Sequence, residues 1–156
     1  MPIHLELITP ERVVFRQEVD QVTLPTKQGE ITILPNHIPL VATLIPGVAR
    51  LKKGATEEDV AVSGGFIEIS EGNHLRVLAD TAERGFELKF EVIEEAKKRA
   101  EKLMTEAVHS DDASYAAAAA ALERELARYR VASKHRHSTR VPMIDAANLP
   151  SDENPT

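Results

Sequence analysis

The sequence predicts a β-sandwich of about ten antiparallel strands followed by a C-terminal antiparallel two-helix hairpin. Three observations carry that expectation. All seven glycines lie at or before Gly85, no proline occurs between Gly47 and Val141, and alanine rises from six residues up to Gly85 to twelve between Phe86 and Lys134. Glycine and proline end regular elements while alanine favours helix, so the chain changes character near Gly85. The expected organisation is a β domain over 1–85, a helical hairpin over 86–134 and a disordered tail over 135–156. In that tail Pro142, Pro150 and Pro155 return and periodicity is lost.

Up to Gly85, turn signals recur about every eight to ten residues. The clearest are Thr9-Pro10-Glu11, Lys27-Gln28-Gly29, Pro35-Asn36, Pro46-Gly47, Ser63-Gly64-Gly65 and Glu71-Gly72-Asn73. Between them apolar residues alternate: Ile3, Leu5 and Leu7, then Ile31 and Ile33, Val60 and Val62, and Leu75 and Val77. Short alternating strands with regular turns point to an antiparallel sandwich, and the connections are too short for parallel crossovers. From Leu88 the period becomes helical. Leu88, Val92, Ala96, Leu103 and Ala107 form the expected stripe, widened by Ile93, Ala100 and Met104. His109 to Asp112 interrupts it, and Asp111 or Asp112 caps a second helix through Ala116–Ala121, Leu126 and Tyr129. Its small side chains bury little apolar area, so a weakly held hairpin is expected.

Composition and spacing give little room for catalysis. There are no cysteines, which removes thiolate metal sites, disulfides and a Cys nucleophile. The six histidines are scattered, without a pair at i, i+4 on a helix. Ser63-Gly64-Gly65 lacks the Gly-x-Ser-x-Gly frame and reads as a tight hairpin turn, and no phosphate-binding P-loop occurs. Glu94-Glu95 and Asp111-Asp112 read as a solvated helix face and a cap. A formal charge of −6 argues against nucleic acid as the main partner. The apolar window Ile38–Ala49 is twelve residues long, too short for a bilayer span, and no leader is visible after Met1-Pro2-Ile3-His4. A soluble chain acting where it is made, non-enzymatic, without cofactor or metal, is the expectation.

Four strings in order supply more. They are Gly29-Glu30-Ile31-Thr32-Ile33-Leu34-Pro35-Asn36-His37-Ile38-Pro39-Leu40 with Ile45-Pro46-Gly47; Ser63-Gly64-Gly65-Phe66-Ile67-Glu68-Ile69 running into Val77–Arg84; Glu95–Glu101; and the helix Tyr115–Val131. Together, over roughly residues 3–133, the chain resembles the ε subunit of the bacterial or plastid F-type ATP synthase. The resemblance implies a central-stalk rotor component of the F1 sector of a proton-transporting ATP synthase, bound to the γ subunit and the c-ring. Catalysis resides in other chains. It implies a peripheral position on the cytoplasmic face of the bacterial plasma membrane, or the stromal side of the thylakoid, held only through the complex.

The resemblance also assigns residues. Thr26, Lys27, Gln28, Gly29, Glu30, Asn36 and His37 match the segment facing the c-ring, expected as polar tips at one end of the sandwich. Arg124, Arg128, Arg130 and Lys134 match the end of the second helix that reaches the catalytic α/β subunits and restrains ATP hydrolysis. Glu83, Arg99, Arg124 and Arg128 match nucleotide contacts of ATP-sensing members. Those members carry an Ile/Leu-Asp-x-x-Arg-Ala motif, where this chain has Leu88-Lys89-Phe90-Glu91-Val92-Ile93. Lys and Val cannot supply the donors and acceptors lost there. A nucleotide-sensing regulator is thus the first alternative, and a free ligand-binding β-sandwich with a helical dimer contact the second.

Overall fold

The computed structural model describes residues 1–137. Ten strands come first: β1 (Ile3–Ile8), β2 (Val13–Val19), β3 (Gln21–Thr26), β4 (Gly29–Ile33), β5 (Leu40–Leu44), β6 (Gly47–Lys53), β7 (Thr56–Val62), β8 (Gly65–Ser70), β9 (His74–Ala79) and β10 (Ala82–Arg84). A 3-10 turn over Gly85–Glu87 leads to helices α1 (Phe90–Ala107) and α2 (Asp112–His137). The second helix therefore continues through three residues that the sequence reading gave to the tail. The rest of that tail lies outside the described residues.

The strands form one sheet in the order β10-β7-β6-β3-β5-β8-β9-β1-β2, with β4 also on β3. β3 meets β5 only where Thr26 faces Leu44, so the sheet divides there into two layers. One core lies between them, built from Ile3, Leu5, Leu7, Phe15, Leu24, Leu51, Ile67, Leu75 and their neighbours. Alternation explains it: β1 buries Ile3, Leu5 and Leu7, and β9 buries Leu75, Val77 and Ala79, while the residues between face outward.

Two expectations change. The sheet is mixed rather than wholly antiparallel, because β1 pairs with β9 in parallel, Leu5 facing Leu75. The rule against short crossovers still holds, since the connection is the whole meander between those strands. Ser63-Gly64 is not a hairpin turn either. β7 pairs with β6 and β10 whereas β8 pairs with β5 and β9, so this segment carries the chain between layers. Ser63 Oγ accepts a 2.7 Å bond from the Thr81 amide. Gly65 fits because any Cβ would overlap the Leu78 carbonyl.

In the hairpin the buried stripe is rotated from the expected one. α1 buries Ile93, Ala100 and Ala107, seven residues apart each time, while α2 buries Ala127, Val131 and Ala132. Val92 and Leu103, expected inside, are more than half exposed. A period of seven keeps one narrow seam facing one partner helix, and a single helix demands no wider face. Asp111 is the cap: its Oδ1 accepts the Ser114 amide at 2.7 Å, which also draws the Asp111 carboxyl below its ordinary range. Near the other end of the hairpin, Lys97 Nζ lies 4.3 Å from the Tyr129 ring centre. Tyr129 packs on Phe90, and the Arg136 guanidinium covers Phe90 at 4.7 Å. This cation–ring–ring–cation stack ties α1 to α2 where alanines supply little area.

Candidate functional site

Most of the sequence-predicted residues border two surfaces, the outer face of β5, β8 and β9 and the contact of α2 with the sandwich. On the first, the β3–β4 turn is shaped by Thr26, whose hydroxyl donates to the Gly29 carbonyl at 2.5 Å, and by Gly29 at φ 114°. Lys27 and Gln28 are its exposed tip. Glu30, the second residue of β4, pairs with Arg50 of β6 at 2.7 Å. Asn36 lies elsewhere, at φ 63°, its amide donating to Asn73 Oδ1 at 2.6 Å in the β8–β9 turn. His37 Nδ1 sits 2.7 Å from the Ile38 carbonyl oxygen.

The two turns therefore do not share one end. Register puts Thr26 beside Leu44 and Gly65, whereas Asn36 neighbours the turn beyond Leu40 and Ser70. Each strand between them has a fixed direction, so the length of β5 separates them. What joins them is apolar. Ile38, Val41, Phe66 and Leu78 are 74, 72, 60 and 45 % exposed on the outward positions of adjacent strands and just before β5. A shallow hollow lined by Thr26, Lys27, Gln28, Val41, Thr43 and Phe66 brings the β3–β4 turn against this strip. Contiguous exposed apolar side chains rimmed by polar ones mark an interaction surface. The sequence reading missed the strip, although outward positions 41, 66 and 78 are apolar where solvent-facing strand positions are usually polar.

On the second surface α2 runs along β7 in the opposite direction. Arg128 meets Glu83 through Nε–Oε1 at 2.9 Å and Nη2–Oε2 at 3.0 Å, and its Nη1 donates to Glu125 at 2.9 Å. Burial works against the Arg128 charge, but Glu83 and Glu125 outweigh it and hold the guanidinium protonated above its ordinary range. Two turns on, Lys134 Nζ reaches Asp59 Oδ2 at 2.9 Å and Glu57 Oε1 at 3.0 Å. Here too partial burial is outweighed by the carboxylates, and the Lys134 pKa is raised. Arg124 is 3.8 Å from Glu125. Arg99 and Arg130 are exposed and, among the described residues, take part in no ion pair. Glu83 and Arg128 are thus brought together as each other's partners, while Arg99 is not joined to them by any contact.

The junction beneath was not anticipated. Arg84, 3 % exposed, donates through Nη2 to Glu58 Oε2 at 2.8 Å and through Nε to Oε1. Its guanidinium lies between the rings of Phe15 and Phe86 at 5.1 and 5.0 Å. Glu87 accepts both Arg12 Nη atoms at 2.6 and 2.7 Å and the Arg84 amide at 3.0 Å. Gly85 lets α2 come close, since a Cβ there would stand 2.9 Å from His135 Cβ. A signal existed for Glu58: strand period places it on the face of Val60 and Val62. Among the described residues no group of three or more His, Asp or Glu is arranged to hold a metal ion, and no helix is long and apolar enough to cross a membrane.

Comparison with known proteins agrees with this architecture. Residues 2–85 match the family model of the ATP synthase Delta/Epsilon chain β-sandwich domain. The chain is 42% identical to the ATP synthase epsilon chain of Syntrophomonas wolfei over 83% of its own length and 93% of the relative's. With that of Herpetosiphon aurantiacus it shares 41% identity, covering 88% and 98% of the two chains. In fold it is similar to a chain of the Euglena gracilis mitochondrial ATP synthase (OSCP/F1/c-ring, rotational state 1), with a TM-score of 0.67, 23% identity and coverage of 78% and 76%. Sandwich, hairpin and nearly full-length kinship lead to one assignment: the chain belongs to the ATP synthase epsilon chain family.

Proposed function

We propose that the chain is a non-catalytic rotor subunit in the F1 sector of a proton-transporting ATP synthase, with the sandwich as anchor and the hairpin as movable brake on ATP hydrolysis. The observation that carries this reading is the exposed strip Ile38, Val41, Phe66 and Leu78. Neighbouring exposed apolar side chains of this kind favour being covered in an assembly, and the γ subunit is the occupant we assign to them. The adjoining turn, Thr26 to Glu30, would face the c-ring, with Asn36 and His37 at the far edge of the same surface. The unit boundaries we adopt are 1–85 for the sandwich and 86–137 for the hairpin, whose second helix runs three residues past the expected 134. Attachment to the membrane would be peripheral, through the complex. Arg124, Arg128, Arg130 and Lys134 would serve the catalytic subunits when the hairpin extends. Nucleotide sensing has less support, because Glu83 and Arg128 already satisfy each other and Lys89 and Val92 replace the motif's acid and arginine.

Copurification with γ tests the anchor. Replacing Val41 and Phe66 together by Asp should weaken γ binding by more than about tenfold, as loss of a buried interface anchor does. The sandwich should stay folded, since both side chains point away from its core. Undiminished γ binding by this variant would overturn the assignment of the strip.

A further inference from the structure

Arg128 and Lys134 are the residues a brake would present to another acidic surface, yet here both are occupied. Apart from Glu125 on the helix itself, their partners come from one side of the sandwich. Glu57 and Asp59 are outward positions of β7, and Glu83 of β10 stands opposite Ala61, the next outward position. Ala61 is only 3 % exposed although it lies outside the sandwich core, which follows from α2 lying on this face. The helix is thus pinned at two points about two turns apart, with a small apolar contact between them. Asp59 Oδ1 is buried without a hydrogen-bond partner, so Lys134 on Oδ2 is that carboxylate's principal compensation among the described residues. At the same time Lys134 is 46 % and Glu57 36 % exposed, and Arg128 and Glu83 about a quarter each, Asp59 alone of the set being largely buried. Pairs at that exposure are weak enough to exchange partners.

We propose that Glu57, Asp59 and Glu83 form an electrostatic latch that withholds Arg128 and Lys134 from any other acidic protein surface, making the folded and the engaged hairpin mutually exclusive. The functional half of this proposal rests on reading the hairpin as a brake; the latch itself does not. Its consequence is a sign reversal. Neutralising the basic residues removes both the latch and the brake's own contacts, whereas neutralising the sandwich acids removes only the latch. Loss of a carboxylate on the sandwich should therefore strengthen inhibition.

The chain has no cysteine, so two labels can be placed cleanly. Lys53→Cys and Glu123→Cys, both exposed and outside the latch, would carry spin labels on the isolated full chain. The distance distribution should show one dominant short population. Glu83→Gln should raise the long-distance population about two- to fivefold, and Glu57→Gln, Asp59→Asn and Glu83→Gln together should raise it further. Raising salt should open the parent in the same direction and leave the triple variant unchanged. The exchange Glu83→Arg with Arg128→Glu should restore the short population. An unchanged distribution in the triple variant, with circular dichroism confirming its fold, overturns the latch. In the reconstituted complex, Glu83→Gln should lower ATP hydrolysis and Arg128→Gln should raise it. If the labels show opening and hydrolysis does not respond, the latch stands and the brake reading falls.

Discussion

The sandwich and the hairpin are held by different forces. Between the two sheet layers lie Phe15, Ile3, Leu5, Leu7, Leu24, Leu51, Ile67 and Leu75, each under 2 % exposed. Of apolar residues the hairpin buries only Ile93, Val131 and alanines among those described, and it relies on ion pairs and a ring stack at its edges. Large apolar side chains are lost only by global unfolding, at roughly 1.5–3 kcal/mol each. Ion pairs and cation–π contacts at partly wet sites are worth about 1 kcal/mol and can be exchanged. A stiff body and a removable arm thus follow from residue size, and the two should respond independently to mutation.

Perturbations of graded size test that independence. The greatest effect is expected at the junction. Glu58→Ala would remove the bidentate carboxylate from the buried Arg84 guanidinium and should cost about 3–5 kcal/mol. Urea unfolding should show a lower midpoint for sandwich and hairpin together, because both depend on that joint. Next in size, Tyr129→Ala removes the centre of the Lys97–Tyr129–Phe90–Arg136 stack and should cost about 1–2 kcal/mol. Here the loss should appear as faster amide exchange in α1 and α2 with the strands unchanged; equal acceleration in the strands would mean the two units open as one.

The smallest effect expected is acid sensitivity of the 3-10 turn. Desolvation pushes the Glu87 carboxyl upward, but the Arg12 and Arg84 contacts outweigh it and its pKa is lowered. A depressed folded-state pKa means the contribution is present above the unfolded value and is lost as pH falls through the folded one. Since Arg12 is half exposed, that contribution is at most about 1 kcal/mol. Comparing stability against pH for the parent and Arg12→Gln should show a steeper acid decline in the parent below the ordinary carboxylate range. Parallel curves would assign the turn to packing alone.

Most of the sandwich was legible because a half-buried strand writes its burial into alternate residues. Leu75 and Val77 could be read as inward from their alternation alone. The hairpin was harder, since alanine is apolar enough to be buried and small enough to be exposed, so the periodicity around Ala96, Ala100 and Ala107 fits several faces. The true seam uses Ile93, Ala100 and Ala107, leaving Leu103 outside. At the candidate site, the turn at Lys27-Gln28 was readable from its glycine. That it lies the length of β5 away from Asn36 depends on pairings between distant strands, which spacing cannot reveal. The latch was hidden for the same reason: Glu57 and Asp59 are near one another in sequence, but nothing local connects them to Lys134.

The parallel pairing of β1 with β9 has a consequence for how the molecule is made. β1 sits inside the sheet, between β2 and β9, and its partner Leu75 is seventy positions later. During synthesis the first strand can form its hairpin with β2 early but must wait, one edge open, until nearly the whole β domain has left the ribosome. Closing so long a loop is the slow, entropically costly event of this topology. Everything needed for it precedes the first residue of α1, so the body can finish folding while the arm is still being translated, and the arm then arrives at a completed surface on which to dock.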